Sequence, residues 1–123
     1  MKENVLFEKS LQFGKMIFQY AIYLRKEKRE YKLSDQILRS GTSIGANISE
    51  ANCSISKAEF ISKMQISLKE TNETLYWLKL FDHTEYAAQN MDELKESCEE
   101  IKKMLISSIK TAKGNSKKNY EIK

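Results

Sequence analysis

Residues 32–55 read KLSDQILRSGTSIGANISEANCSI, and a line of apolar or small side chains runs through them: Leu33, Ile37, Gly41, Ile44, Ile48, Ala51 and Ile55. Steps of three and four are helix spacing, whereas a half-buried strand alternates at every second residue. The reading is a helix from about Lys32–Asp35 to about Ser54. Gly41 and Gly45 lie inside it, each about 1 kcal/mol less favourable there than alanine. Two explanations stay open: the glycines let another backbone approach closely, or the helix breaks around Ser40–Ser43.

On the N-terminal side, a segment from about Asn4 to Lys28 carries Leu6, Phe13, Ile17, Tyr20 and Leu24 at helical spacing. Between Met16 and Leu24 only Gln19 is strongly polar. A two-layer bundle buries one stripe per helix, so Phe18, Ile22 and Tyr23 need cover on a second side. That predicts a subunit interface at these three residues; the alternative is a central helix wrapped by its own chain. On the C-terminal side, Ser56-Lys57-Ala58-Glu59 is a capping-box pattern. It opens a third helix in which Phe60/Ile61, Met64, Leu68, Leu75 and Leu78 follow to about Phe81. Asn90-Met91-Asp92-Glu93 opens a fourth, with acids near the positive helix end. Leu94, Cys98, Ile101, Leu105 and Ile109 carry it to about Lys113, and Gly114-Asn115-Ser116 is expected to end it.

The connections, roughly 29–32, 54–56 and 82–89, are short, which forces neighbouring helices antiparallel. The expected fold is all-α, an antiparallel up-down-up-down four-helix bundle over 1–113, with a flexible basic tail over 114–123. At 123 residues, with 41% hydrophobic and 31% charged side chains, the chain is long enough for one core without disulfides or metal. Absence of proline leaves the helices uninterrupted. No run approaches the roughly 18 apolar residues of a membrane span. Glu3 and Glu8 interrupt any signal peptide over residues 1–10. Cys53 and Cys98 lack metal-ligand spacing. The expectation is a reduced, cytoplasmic protein.

Catalysis needs converging acids, bases or nucleophiles, and few are present. His83 is the only histidine; beside Asp82 at a helix C-terminus, it is favoured there by the helix dipole alone. Neither cysteine stands in a nucleophile motif, and there is no glycine-rich phosphate loop. Glu70 and Glu73 suggest di-iron carboxylates, but such sites need a Glu-x-x-His on each of two helices. No enzyme, cofactor or metal is expected.

Polar residues form a line of their own beside the apolar one. Gln36, Arg39, Ser40, Ser43, Asn47 and Glu50 lie three or four apart, as do Lys63, Ser67, Glu70, Thr71 and Thr74 on the third helix. Facing each other, Gln36, Arg39, Ser43, Asn47, Glu50, Lys63 and Glu70 would form a hydrogen-bonded network, buried or at a subunit boundary; the alternatives are a solvated face and a ligand site. Formal net charge is +4, of which residues 1–30 supply seven Lys/Arg against four acids. Arg25, Lys26, Lys28, Arg29 and Lys32 crowd the end of the first helix, and Lys102, Lys103, Lys110, Lys113, Lys117 and Lys118 line the fourth and its tail. Cations near helix C-termini are stabilised anyway. In an up-down bundle the two clusters point to opposite ends, and assembly into a ring would multiply each.

Gln36-Ile37-Leu38-Arg39-Ser40, then Ser43-Ile44-Gly45-Ala46-Asn47-Ile48-Ser49-Glu50-Ala51, resembles the signature of the bacterial four-helix bundle proteins encoded in intervening sequences of 23S ribosomal RNA genes. Lys57 to Phe60, Lys63, Ser67-Leu68-Lys69-Glu70 and Glu73-Thr74-Leu75-Tyr76-Trp77-Leu78 resemble it too, and a looser likeness extends over about 5–110. Ala51-Asn52 departs from a pattern in which glycine often follows the glutamate, and no proline precedes the second helix. The resemblance implies a left-turning up-down bundle, often a ring of five. It points toward the accessory variability protein of diversity-generating retroelements, a basic pentamer that associates with a reverse transcriptase and nucleic acid. Two functions are therefore expected. One is a non-catalytic homo-oligomer, a pentamer by resemblance, holding RNA or DNA, RNA favoured, through Arg25, Lys26, Lys28, Arg29, Lys102, Lys103, Lys110 and Lys113. The other is a scaffold that docks a partner protein, such as a reverse transcriptase, without touching nucleic acid.

Overall fold

Each apolar line becomes the inner stripe of a helix. A computed structural model describes the backbone of residues 2–122 and the side chains of residues 5–114. Its elements are α1 (Lys2–Lys28), α2 (Lys32–Asn52), α3 (Lys57–Phe81) and α4 (Met91–Ile122). Each helix packs on the next, and α1 and α4 close the square. Pairing is antiparallel throughout: along α2 and α3, Ser40 meets Thr74, Ile44 meets Ser67 and Glu50 meets Lys63. The result is the all-α four-helix bundle the spacing predicts.

Leu6, Phe13, Ile17, Tyr20 and Leu24 of α1 are buried together with Ile37, Ile44, Ile48 and Ala51 of α2. Met64, Leu75 and Leu78 of α3 and Leu94, Cys98, Ile101, Leu105 and Ile109 of α4 complete the core. Full burial of each large side chain contributes roughly 1.5–3 kcal/mol. α2 is continuous through Ser40–Ser43, so its glycines serve close approach. A Cβ on Gly41 would lie 2.7 Å from Ile17 Cγ2, and one on Gly45 would lie 3.1 Å from Ser10 Oγ.

Three expectations need correcting. α2 stops at Asn52, so Ile55 is outside the apolar line and 94% exposed. α4 runs through Gly114 to Ile122; with no proline behind it and open space around it, that glycine lowers helix propensity without ending the helix. The basic tail expected over 114–123, with Lys117 and Lys118, falls on side chains outside the described residues. Third, the buried polar groups are small hydroxyls. Ser67 Oγ donates to Ile44 O (2.9 Å), Thr74 Oγ1 to Ser40 Oγ (2.8 Å) and Ser34 Oγ to Ala21 O (3.2 Å), each crossing between helices. Every such bond satisfies a hydroxyl that burial would otherwise penalise.

α1 ends on a residue with positive φ, Arg29 (52°), and beyond α3, after the extended Asp82, His83 has positive φ as well (62°). The Glu30 N–H donates back to Leu24 O at 2.9 Å, closing the end of α1 over an arginine in the left-handed region where glycine is usual. At the same end of the bundle, Tyr20 donates its hydroxyl to Tyr86 O (2.5 Å), and Phe81 sits edge-on to Tyr20 and Tyr86. Burial, with Tyr23 and Asp82 adding to it, drives the Tyr20 phenol far above its ordinary pKa, so it stays a neutral donor. Lys95 bonds Asp82 across the α3–α4 connection and holds that carboxyl below its usual range.

Candidate functional site

No group of three or more metal-ligating side chains converges among the described residues. Cys98 is buried, its Sγ reaching Thr71 O at 3.5 Å; burial pushes its thiol up to about 12, far from a reactive thiolate. His83 is exposed, with Nε2 3.6 Å from Asp82 Oδ2. No helix among the described residues is long and apolar enough to cross a membrane.

The expected seven-residue polar network is two separate surface pairings. Arg39 reaches from α2 to Glu70 (3.2 Å) and Glu73 of α3, and Glu73 also accepts from Trp77 Nε1 at 3.1 Å. Burial would raise the Glu73 carboxyl, but the Arg39 and Trp77 donors outweigh it and hold the group below the ordinary range. Bonding to Glu73 raises Arg39 in turn. Lys63 meets Glu50 at 2.8 Å further along the same seam. Ser43 Oγ and Asn47 Nδ2 turn back onto their own helix, at Arg39 O and Ser43 O, and Gln36 is exposed. The physical reason is length: Arg39, Glu50, Lys63 and Glu70 span the α2–α3 seam from its rim, leaving the inside to Ser40, Ser67, Thr71 and Thr74. Glu73 and Trp77 belong to the Arg39 cluster and were legible only as neighbours one and two turns from Glu70.

The three expected interface residues divide. Phe18 is 54% exposed, while Ile22 and Tyr23 are half-buried. Five residues along a helix is a turn of about 140° away, so Tyr23 points elsewhere. It stacks on Tyr20 with ring centroids 6.5 Å apart and lines a recess with Ala88 and Asn90 of its own chain. Phe18 instead faces a groove of about 360 Å³ between α1 and α2. Phe7, Leu11 and Phe18 form its apolar wall, and Thr42, Gly45, Ala46 and Ser49 of α2 its shallow floor. Leu11, exposed on that wall, was the residue the apolar stripe did not single out.

Helix geometry keeps the basic clusters apart. Arg25, Lys26, Lys28, Arg29 and Lys32 surround the α1–α2 connection. Lys103 packs beside Leu6 near the other end of α1, with Lys110 and Lys113 further along α4 and Lys102 alongside. Arg25 is engaged, donating to Asp35 (2.8 Å) and lying 5.1 Å over the Tyr31 ring. Lys26, Arg29 and Lys32 are exposed and Lys28 half-buried, and none of the four is in an ion pair among the described residues. Lys103, Lys110 and Lys113 are exposed and Lys102 is half-buried.

Against known proteins, a family model described as 23S rRNA-intervening sequence protein matches residues 2–107. Among solved structures, a protein of unknown function from the S23 ribosomal protein family of Bacteroides thetaiotaomicron is 50% identical, with a TM-score of 0.85 over 89% of this chain and 99% of that one. No curated protein matches.

Proposed function

The chain belongs to the 23S rRNA-intervening sequence protein family, and from that premise we propose that it is a non-catalytic, self-assembling helical module that associates with RNA through its basic ends. The observation that carries this reading is the α1–α2 end, where Lys26, Lys28, Arg29 and Lys32 have no carboxylate partner among the described residues. Lys102, Lys103, Lys110 and Lys113 supply a second, distant cluster. One protomer therefore holds RNA at two points, and assembly would extend both. The setting is the cytoplasm, where free thiols such as Cys53 and Cys98 stay reduced.

Assembly uses the α1–α2 groove. Its wall of Phe7, Leu11 and Phe18 needs an apolar cover, and Ile66, Tyr76 and Leu80 are exposed along one side of α3, the helix diagonal to α1. A groove meeting a ridge on a different face is a head-to-tail contact, the kind that closes into rings. A ring of five is the state the family resemblance implies. The same α3 ridge supports the second reading, a scaffold for a partner protein, because Tyr76 is 58% exposed beside Trp77 and such aromatics anchor interfaces.

Light scattering and RNA titration test the two parts. The expected result is an oligomer that Phe18→Glu breaks into protomers and whose RNA affinity collapses when Lys26, Lys28, Arg29 and Lys32 are changed to glutamate. An oligomer that ignores RNA would transfer the function to the protein scaffold. A wild-type monomer would remove the assembly.

A further inference from the structure

Tyr31 stands in the middle of the α1–α2 basic cluster, in the run Arg25-Lys26-Glu27-Lys28-Arg29-Glu30-Tyr31-Lys32. It is 51% exposed, although a tyrosine ring has ample apolar area to bury. Its position is fixed from both sides. Its carbonyl accepts from the Asp35 N–H (3.0 Å) as the first turn of α2 begins. The Arg25 guanidinium, held by Asp35 at 2.8 Å, lies 5.1 Å from the ring centroid and covers part of the ring. Of the two acids in the run, Glu30 is occupied, its Oε1 accepting from the Leu33 N–H at 2.8 Å, and Glu27 is exposed. What remains is a held aromatic ring, half open to solvent, flanked by Lys28, Arg29 and Lys32.

From this juxtaposition we infer that the α1–α2 connection is a single-strand site, in which one unpaired base stacks on Tyr31 while Lys28, Arg29 and Lys32 take the adjoining phosphates. The inference rests on the RNA-binding reading and narrows it from RNA in general to unpaired nucleotides at this end. Stacking on an aromatic face needs an unpaired base, and it tolerates any base because every base has a π-face. A cation already seated on the ring adds to the attraction for the base and the strand. Because Arg25 and the α2 backbone hold the ring beforehand, little freedom is lost on binding. The α4 cluster differs. Among the exposed large apolar side chains of the described residues, the one that shares α4 with Lys102, Lys103, Lys110 and Lys113 is aliphatic, Ile106. That end holds phosphates only.

The test compares wild type, Tyr31→Phe, Tyr31→Leu and Tyr31→Ala for binding to a short single-stranded RNA and to a duplex of the same sequence, by fluorescence anisotropy at low salt. Carrying 2-aminopurine in the single strand reports stacking directly. The expected result is that Tyr31→Ala and Tyr31→Leu weaken single-strand binding roughly tenfold or more, that Tyr31→Phe keeps it, and that duplex binding is unchanged in all four. Quenching of 2-aminopurine is expected to persist in Tyr31→Phe and to diminish in Tyr31→Leu. Tyr31→Leu retains a bulky side chain under Arg25, so its loss would isolate stacking from packing. Wild type that binds both RNAs, with single-strand affinity unmoved by Tyr31→Ala, would overturn the stacking site and leave the RNA reading standing. Wild type that binds neither RNA overturns both.

Discussion

Replacing Gly41 with alanine should be harmful for one reason only, the presence of Ile17. The new Cβ would lie 2.7, 3.0 and 3.2 Å from Ile17 Cγ2, Cγ1 and Cβ. Ile17 has no solvent exposure and no free direction in which to move. Forcing a methyl into such a contact costs about 1–3 kcal/mol, while alanine in place of glycine inside a helix returns about 1 kcal/mol. Gly41→Ala alone is thus expected to lose up to about 2 kcal/mol. Ile17→Ala costs about 2–5 kcal/mol by itself, but it removes the two Cγ atoms. In that background Gly41→Ala should stabilise the protein by about 1 kcal/mol. Urea unfolding of the four proteins, followed by far-UV circular dichroism, gives the coupling between the two sites, expected at about 1–3 kcal/mol. A coupling within about 0.5 kcal/mol of zero would refute the close approach of α1 to α2 at this point.

Other consequences are independent of that crossing. Ser67→Ala, which removes the buried bond to Ile44 O, should cost about 1 kcal/mol in the same unfolding assay, with the oligomeric state unchanged. Lys95 holds the folded Asp82 carboxyl below its ordinary range, and Arg39 and Trp77 do so for Glu73 despite burial. Both groups have depressed folded values, so their stabilisation is present above the unfolded carboxylate range, near pH ~4, and disappears as pH falls below it. Unfolding curves of Asp82→Asn and Glu73→Gln across that window should accordingly show a shallower acid loss than wild type. Arg29→Gly should raise stability by about 1 kcal/mol, since glycine occupies φ 52° without strain. It should also reduce the salt slope of single-stranded RNA binding by about 0.7, because one phosphate contact is removed.

The fold was legible because its signal is periodic. The lines Leu6–Leu24 and Leu94–Ile109 bury the side chains that their spacing selected, the Leu33–Ile55 line does so from Ile37 to Ala51, and Ser56 caps α3 by accepting the Glu59 N–H at 3.1 Å. Helix ends were less legible. Arg29 ends α1 in a conformation usually left to glycine, and Gly114 ends nothing. At the surface, spacing grouped Arg39, Glu50, Lys63 and Glu70 in one network but gave neither their pairing nor their depth. Long side chains reach round the rim of a seam while short hydroxyls occupy its interior, a distinction that polarity alone does not encode. Phe18 and Tyr23 separated for a related reason: both are apolar and near in sequence, yet they face different neighbours around one helix. Tyr31 was hidden because a single aromatic in a charged connection has no period, and only the Arg25–Asp35 pair reveals that its ring is held.

The central claim is that RNA is bound by charge at the basic ends, and the dependence of RNA affinity on salt tests it most directly. Anisotropy titrations of a single-stranded RNA over a range of salt concentrations give a slope of log affinity against log salt of roughly −0.7 for each phosphate neutralised. Engagement of Lys26, Lys28, Arg29 and Lys32 on one protomer predicts a slope of about −3, steeper if neighbouring subunits share the strand. A slope near zero, or no binding at low salt, would contradict the account and leave the α3 ridge and the α1–α2 groove as surfaces for proteins alone.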